Sequence, residues 1–130
     1  MTLFGRWRKS AKAGNAFLQA KDLGVRIVRT ASGTTVAVSG RVTIDSSPHL
    51  RSLLLQLIRK ETSQTVTIDL SKTSYLDTSG IATLLEALKA ARRHPVKLRL
   101  VGVSGQVKML AEILELAQIF RAAGSEVVFS

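Results

Sequence analysis

Residues 25–117 alternate between strand-like and helix-like apolar patterns, and this alternation limits the folds that the chain can adopt. A helix-like stripe at i, i+3, i+4, i+7 and i+8 is formed by Leu50, Leu53, Leu54, Leu57 and Ile58. Similar stripes follow over residues 79–93 and 104–117, with alternating apolar segments between them. Strands that are joined through helices run parallel. The order β-β-α-β-α-β-α therefore predicts an α/β domain, with EVVF near the C-terminus as either a last short strand or a tail.

The chain of 130 residues suits one domain, and its first 22 residues differ in character from the rest. This segment is basic, and Gly5 and Gly14 interrupt a weak apolar stripe within it. We interpret residues 1–22 as a mobile basic segment ahead of a domain over residues 23–130. The alternative is an interfacial helix that makes a peripheral contact with an acidic membrane or touches a protein partner.

The sequence has no uninterrupted apolar segment of the length that a secretory signal or a membrane span requires. It also has no cysteine, which suits a reducing compartment. We therefore expect a cytoplasmic protein.

The formal net charge of +10 comes from 19 basic and 9 acidic residues that are spread along the chain. Proteins that bind single-stranded nucleic acid place clustered cations beside aromatic stacking platforms. Only six aromatic residues are present, and none lies among cations outside the N-terminal segment. The composition thus argues against direct binding of nucleic acid.

The sequence lacks the patterns that are typical of catalytic and metal sites. Its two histidines, His49 and His94, lie near predicted helix ends without a cluster of other ligands. A triad of Ser79, His94 and Asp77 would lack the G-x-S-x-G turn that supports such a nucleophile. The G-x-x-G over residues 102–105 is a weak signal for either an anion site or a turn. We expect no enzymatic activity, no metal and no cofactor.

A polar cluster interrupts the apolar pattern in SYLDTSGIATLL, residues 74–85. Asp77, Thr78 and Ser79 precede Gly80 at the junction between a predicted strand and a predicted helix. One such residue is sufficient to cap a helix, so the run of three is consistent with either a cap or a functional site. A phosphate on a hydroxyl here would add about two negative charges, which a helix N-terminus tolerates.

The sequence resembles the STAS domain, the module shared by sulphate transporters and anti-sigma factor antagonists. In VTIDLSKTSYLDTSGIATLLEAL, a strand ending in Asp-Leu-Ser, a short loop and an apolar pair precede the motif Asp-Thr-Ser-Gly. VAVSGRVTIDSSPHLRSLLLQLI and VKLRLVGVSGQVKMLAEILELAQIF are similar to the family's flanking strands and helices, so the resemblance covers residues 25–121. It implies a single domain with a small mixed, mostly parallel β-sheet and helices packed on one side.

The resemblance also implies a set of site residues. In those anti-sigma factor antagonists that are phosphorylated, the hydroxyl residue before the motif glycine accepts phosphate from the partner, an anti-sigma factor that is a serine kinase. By this comparison Ser79 is the phosphorylation site, with Thr78 as the second candidate. The implied partner-binding residues are Asp77, Thr78, Ser79, Gly80, Asp45 and Ser46.

Two functions are consistent with the resemblance. The first is an anti-sigma factor antagonist, a non-enzymatic regulatory module that acts by partner switching under the control of phosphorylation. The second is a STAS subunit that binds the ATPase of a lipid-trafficking ABC transporter without phosphorylation, a role that suits the basic N-terminal segment. In either function we expect a monomer or a weak dimer.

Overall fold

The computed structural model describes residues 8–12, 15–60, 65–94 and 96–130, with side chains from residue 16 onward. These residues form seven strands: β1 Arg8–Lys12, β2 Asn15–Ala20, β3 Leu23–Thr30, β4 Gly33–Val42, β5 Thr65–Leu76, β6 Lys97–Val103 and β7 Glu126–Phe129. They also form four helices: α1 Ser47–Lys60, α2 Thr78–Arg93, α3 Gly105–Ile113 and α4 Leu116–Ala122. The segment EVVF is thus the strand β7 and not a tail.

The seven strands form one mixed sheet in chain order, β1-β2-β3-β4-β5-β6-β7. Neighbours from β1 to β4 pair antiparallel, and neighbours from β4 to β7 pair parallel. Every parallel crossover moves to the next strand in the same direction, so right-handed connections place all the helices on one face. The predicted mixed α/β sheet with helices on one side is confirmed, although the hairpin β1–β2 makes half of the pairings antiparallel.

The core lies between the sheet and the helices, and the alternation along each strand follows from this arrangement. In β4, Val36 and Val38 face the helices and are buried, whereas Thr35 and Ala37 on the other face are partly exposed. The leucine stripe of α1 is buried as predicted, and Phe120 of α4 is fully buried. Burial of this contiguous apolar cluster is the main source of stability for a domain without disulfides.

The interpretation of residues 1–22 as a mobile segment is wrong for the part that the structure describes. Asn15–Ala20 pairs antiparallel with β3, and Leu18 is 0% exposed, within the core. Arg8–Lys12 adds a further strand through its pairing with β2, so the alternative of an interfacial helix is also wrong here. Residues 1–7 and 13–14 lie outside the described residues. The pairing of β2 with β3 moves the start of the folded domain to before residue 16.

The third predicted helix is two helices in the structure. Its apolar stripe over residues 104–117 is divided at Glu115, which has a left-handed backbone with φ 54°. A left-handed residue breaks the helical hydrogen-bond pattern, and the chain turns there before α4 begins. The break allows Leu116 and Phe120 to reach the core, where both are buried.

Replacing Leu18 by alanine tests whether β2 belongs to the folded domain. Because Leu18 is fully buried, Leu18→Ala is expected to lower the free energy of unfolding by about 2 to 5 kcal/mol. Gln19→Ala, at the next and exposed position of the same strand, is the matched control, with an expected change below about 0.5 kcal/mol. Urea unfolding curves measure both values. Equal stability of Leu18→Ala and the wild type would show that this segment does not pack on the domain.

Candidate functional site

The carboxyl ends of β4, β5 and β6 meet at one edge of the sheet, and the candidate site lies there. Strand β5 pairs with β6 only from Thr65 to Asp69, whereas it pairs with β4 as far as Leu76. The residues after Ser71, which the sequence predicts to be a short loop, instead continue strand β5. The pairing of β5 with β4 shifts register along this part of the strand. The second half of β5 has left β6 and carries the Asp-Thr-Ser-Gly motif beyond it toward the first turn of α2.

Gln106 of α3 occupies the pairing position that β6 has left beside the end of β5. Its side-chain oxygen accepts a hydrogen bond from the backbone N–H of Leu76 at 3.0 Å, and its side-chain nitrogen donates to the carbonyl oxygen of Leu76 at 2.8 Å. The amide thus bonds Leu76 as a neighbouring strand would. It holds the strand end that leads into Asp77, and the sequence analysis did not identify it.

The glycine at position 102 has a packing role in this arrangement. A Cβ atom there would lie 2.6 Å from the backbone nitrogen of Ser71 and 2.7 Å from Oδ1 of Asp69, and the residue has a φ of 69°. Only glycine accommodates both the close approach and the left-handed backbone. This observation favours the turn interpretation of the G-x-x-G segment over an anion site.

Asp77 is the N-cap of α2 and joins this helix to the β4–α1 loop. Its Oδ1 accepts hydrogen bonds from the backbone N–H groups of Ser79 at 2.9 Å and Gly80 at 3.1 Å, and from the Ser79 hydroxyl. Its Oδ2 accepts from the N–H of Ile44, in the loop between β4 and α1, at 3.2 Å. Of the three cap candidates in the motif, the structure assigns the cap to Asp77, and this cap also fixes the β4–α1 loop against the helix.

These hydrogen bonds determine the ionisation of Asp77. Partial burial raises the pKa of its carboxyl, because burial removes water from the charged form. The hydrogen bonds from the Ser79 hydroxyl and from the N–H groups of Gly80, Ser79 and Ile44 act in the opposite direction and outweigh burial. The pKa of Asp77 therefore lies below its ordinary value of 3.8. The carboxylate is ionised at neutral pH, where the positive end of the α2 dipole also favours it.

The two hydroxyl residues of the motif differ in their surroundings. Thr78 is exposed at the first position of α2, whereas Ser79 is half-buried and its hydroxyl donates to the Asp77 carboxylate. Ser79 also accepts a hydrogen bond at its carbonyl oxygen from the Thr83 hydroxyl, one turn along α2, at 3.0 Å. The hydroxyl oxygen of Ser79 is thus held in one orientation by its bond to Asp77. It lies at a helix N-terminus, a position that accommodates an attached anion.

The buried members of the predicted site shape it without reaching solvent. A Cβ atom on Gly80 would lie 2.5 Å from Cδ1 of Leu76, so the start of α2 packs directly on the end of β5. Ser46 is 1% exposed, and its hydroxyl accepts from the N–H of Thr43 at 3.0 Å and donates to the carbonyl oxygen of Arg41 at 2.8 Å. In contrast, Asp45 is exposed beside it. The predicted contact role fits Asp45, whereas Ser46 and Gly80 serve as supports.

Ile44 is a second feature of this edge that the sequence analysis missed. Its side chain is 74% exposed although its backbone is bonded to Asp77. In the sequence, Ile44 follows Val42 at strand spacing, which predicts an inward side chain. The strand ends at Val42, and the loop turns Ile44 outward beside the motif. An apolar side chain therefore lies at the surface on the loop that is bonded to Asp77 of the motif.

The structure separates the residues of the imagined catalytic triad. His94 follows the last residue of α2, so it lies about 22 Å from Ser79 along the helix, at 1.5 Å per residue.

Within the described ranges, no three His, Asp or Glu side chains are grouped so that they could hold a metal ion. None of the described helices combines the length and the apolar character that crossing a bilayer needs.

The pKa of Asp77 can be tested directly by an NMR titration of its carboxyl carbon. We expect a pKa below 3.8 in the wild type. We expect a higher value in Ser79→Ala, which removes one hydrogen-bond donor. Ser74→Ala, whose hydroxyl bonds the carbonyl oxygen of Gly40 instead, should leave the value unchanged. An unchanged pKa in Ser79→Ala would mean that the Ser79 hydroxyl does not donate to Asp77.

The lowered pKa also gives a sign for the pH dependence of stability. A carboxyl whose pKa is lower in the folded than in the unfolded state stabilises the fold above the unfolded pKa. The contribution of Asp77 is then lost as the pH falls from 3.8 through the lower folded value. The stability difference between the wild type and Asp77→Asn should therefore decrease over that acidic range in urea unfolding experiments.

Comparison with known proteins places this geometry in a family. Residues 25–128 match the model of the STAS domain. The anti-sigma-B factor antagonist of Staphylococcus epidermidis is 29% identical over 93 residues, which are 71% of this chain and 85% of that protein. The protein of the same name from Staphylococcus aureus is 28% identical over the same shares.

Solved structures show the same fold at lower sequence identity. An anti-sigma factor antagonist from Mycobacterium paratuberculosis superposes with a TM-score of 0.68 and 19% identity, over 79% of this chain and 87% of that one. An anti-sigma-factor antagonist (STAS) domain protein from Planctomyces limnophilus gives 0.65 and 16%, over 82% and 89%. With the family model matching most of its length, this chain belongs to the STAS domain family.

Proposed function

We propose that this protein is a cytoplasmic anti-sigma factor antagonist that binds an anti-sigma factor and is released when that partner phosphorylates Ser79. The proposal is supported by the similarity to relatives named anti-sigma-B factor antagonist. The observation that carries it is the Ser79 hydroxyl, which lies at the N-terminus of α2 and donates to an ionised carboxylate. The role requires binding and the acceptance of phosphate, and no catalysis by this chain.

The surface that would contact the partner is formed by the β4–α1 loop and the first residues of α2, which Asp77 connects. We call it the docking edge and define it as Ile44, Asp45, Thr78 and Ser79. It combines an exposed apolar side chain, a carboxylate and two hydroxyls. A single exposed isoleucine is common on protein surfaces, but Ile44 lies one hydrogen bond away from the Asp77 cap. An apolar anchor with polar groups around it is typical of protein interfaces.

Phosphorylation of Ser79 would change the charge of the docking edge while preserving the fold. The phosphate ester loses the proton that the hydroxyl donates to Asp77, and it adds about two negative charges beside that carboxylate. The dipole of α2 stabilises these charges while water surrounds them. A partner packed on the docking edge would instead have to desolvate the phosphate next to Asp77, which opposes binding.

Ser79 is a better phosphate acceptor than Thr78 on the same geometry. The bond to the Asp77 carboxylate orients the Ser79 hydroxyl and draws its proton away from the oxygen, which favours attack on a phosphoryl group. Thr78 is more exposed, but its side chain lies at the first helical position, outside the three N–H and O–H contacts of the cap. We therefore propose Ser79 as the acceptor and Thr78 as part of the contact surface.

A pull-down from the host with the full chain as bait tests the proposal. We expect an anti-sigma factor to be recovered, and we expect that protein to transfer phosphate from ATP to Ser79, as mapped by peptide mass spectrometry. Recovery of a transporter ATPase together with unmodified Ser79 would contradict the proposal and favour the alternative STAS subunit.

Substitution of Ser79 separates binding from release. With the recovered anti-sigma factor in a calorimetric titration, Ser79→Ala should bind within about threefold of the wild type and resist release by ATP. Ser79→Asp should weaken binding by at least about tenfold, because it introduces charge into the docked surface beside Asp77. Ser52→Asp, at an exposed position of α1, adds the same charge away from the docking edge and should bind normally. Equal affinities of the two aspartate variants would refute the switch.

Ile44→Ala tests the apolar part of the docking edge. If Ile44 is an anchor, its truncation should weaken partner binding by about tenfold, which corresponds to a hot spot of more than about 1 kcal/mol. Stability should change little, since the side chain is 74% exposed. Ile113→Ala, a 69% exposed isoleucine at the end of α3, is the matched control. An affinity equal to that of the control would exclude Ile44 from the interface.

A further inference from the structure

Basic side chains are concentrated at the end of the domain that lies away from the docking edge. They come from the last turns of α1, α2 and α4 and are all exposed. We call this surface the basic end and define it as Arg59, Lys60, Lys89, Arg92, Arg93 and Arg121. Among the described residues, ion pairs join Arg51 to Glu86 and Glu126 to both Lys97 and Arg99. None of the six residues of the basic end takes part in these pairs.

The salt bridge between α1 and α2 shows that the C-termini of these two helices lie at the same end of the domain. Arg51 and Glu86 are 2.6 Å apart, and both helices run in the same direction because each connects parallel strands. From this bridge, α1 continues for about 12 Å to Arg59 and Lys60, and α2 for about 10 Å to Arg92 and Arg93. The two pairs of cations therefore end side by side on neighbouring helices.

A groove between α2 and α4 adds an apolar component to the basic end. It has a volume of about 390 Å³, and its lining includes Leu85, Leu88 and Ile119, with Lys89 and Arg92 beside them. Ile119 is 42% exposed. The basic end thus combines cations with apolar side chains, the two components that hold a protein at a membrane interface.

The helix dipole explains only part of this arrangement. It favours cations in the last turn of each helix, but protein surfaces normally intersperse both signs of charge. Among the described residues at this end, the carboxylate of Glu126 is already bonded to Lys97 and Arg99. Glu61, the residue after Lys60, lies outside the described residues. The crowding of like charges costs free energy that an anionic partner would recover.

We propose that the basic end binds the surface of a bilayer that contains anionic phospholipid. A nucleic acid fits less well, because the described residues at this end present no aromatic side chain for base stacking. Along α2, Ser79 and Arg93 are separated by about 21 Å, at 1.5 Å per residue. A protein held by its basic end would therefore keep the docking edge directed away from the lipid, so the two surfaces can be occupied together. This inference does not depend on the phosphorylation of Ser79.

The test measures binding of the full chain to vesicles by flotation. The wild type is expected to bind vesicles of phosphatidylcholine mixed with phosphatidylglycerol and not to bind vesicles of phosphatidylcholine alone. It is also expected to dissociate from the anionic vesicles as salt is added. This comparison uses the unaltered chain, so it does not rely on any variant. Absence of binding to the anionic vesicles, or equal binding to both compositions, would overturn the proposal.

Two variants with equal loss of charge locate the binding surface. Arg59→Gln/Lys60→Gln/Arg92→Gln/Arg93→Gln should lower the partition coefficient by at least about a hundredfold, from the contribution of each cation near an anionic surface. The control variant removes four cations at the docking-edge end: Lys21→Gln/Arg41→Gln/Lys72→Gln/Lys108→Gln. It should lower the partition coefficient only a few-fold, because salt screens charges that lie far from the lipid surface. Equal losses would assign binding to diffuse charge or to residues 1–14. Tighter binding to duplex DNA than to the vesicles would make the partner a nucleic acid, and either result would refute the proposal.

Discussion

The Asp77 carboxylate is the contact on which the docking edge depends. Its two oxygens accept from α2 on one side and from the β4–α1 loop on the other, so one side chain caps a helix and joins segments 33 residues apart. A charged acceptor that bonds several N–H groups is stronger than a neutral one. The same carboxylate also accepts from the Ser79 hydroxyl. Any modification of the Ser79 hydroxyl oxygen therefore acts directly on the contact that holds the β4–α1 loop to α2.

The position of this carboxylate depends in turn on the path of β5. If all twelve residues of β5 paired with both β4 and β6, the strand would end level with β6 and its last side chains would be covered. Instead, β5 leaves β6 after Asp69, and the Gln106 amide satisfies the backbone of Leu76 in its place. A buried backbone group without a partner would be costly. Gln106 thus allows the motif to extend beyond the sheet without that cost.

The two ends of the helices carry different chemistry on one small domain. At the N-terminus of α2, the dipole and the N–H groups of Ser79 and Gly80 favour the Asp77 carboxylate, and the dipole also favours an added phosphate. At the C-termini of α1 and α2, the opposite sign of the dipole favours cations, and among the described residues Glu126 at this end is bonded to Lys97 and Arg99 and not to the cations of the basic end. Because parallel crossovers orient these helices alike, the fold itself separates an anion-accepting edge from a cationic end. The net charge of +10 is therefore unevenly distributed, although the sequence predicts an even spread.

The sequence by itself determined the features that depend on nearby residues. The leucine stripe of α1 and the extent of α2 follow from periodicity and turn residues. Asp77 is among the cap candidates of the motif because it bonds N–H groups two and three residues away. The resemblance to the STAS domain rests on the same local motifs. These contacts are short in sequence, so the pattern contains them.

Only the tertiary structure decided which distant residues meet. The strand Asn15–Ala20 has a weak pattern of its own, and its burial depends on pairing with β3. The break at Glu115 depends on where Leu116 and Phe120 reach the core. The bonds from Ile44 to Asp77 and from Gln106 to Leu76 join residues about thirty positions apart. Such contacts are set by the order and direction of the strands, since the crossovers bring these residues together and no local propensity records it.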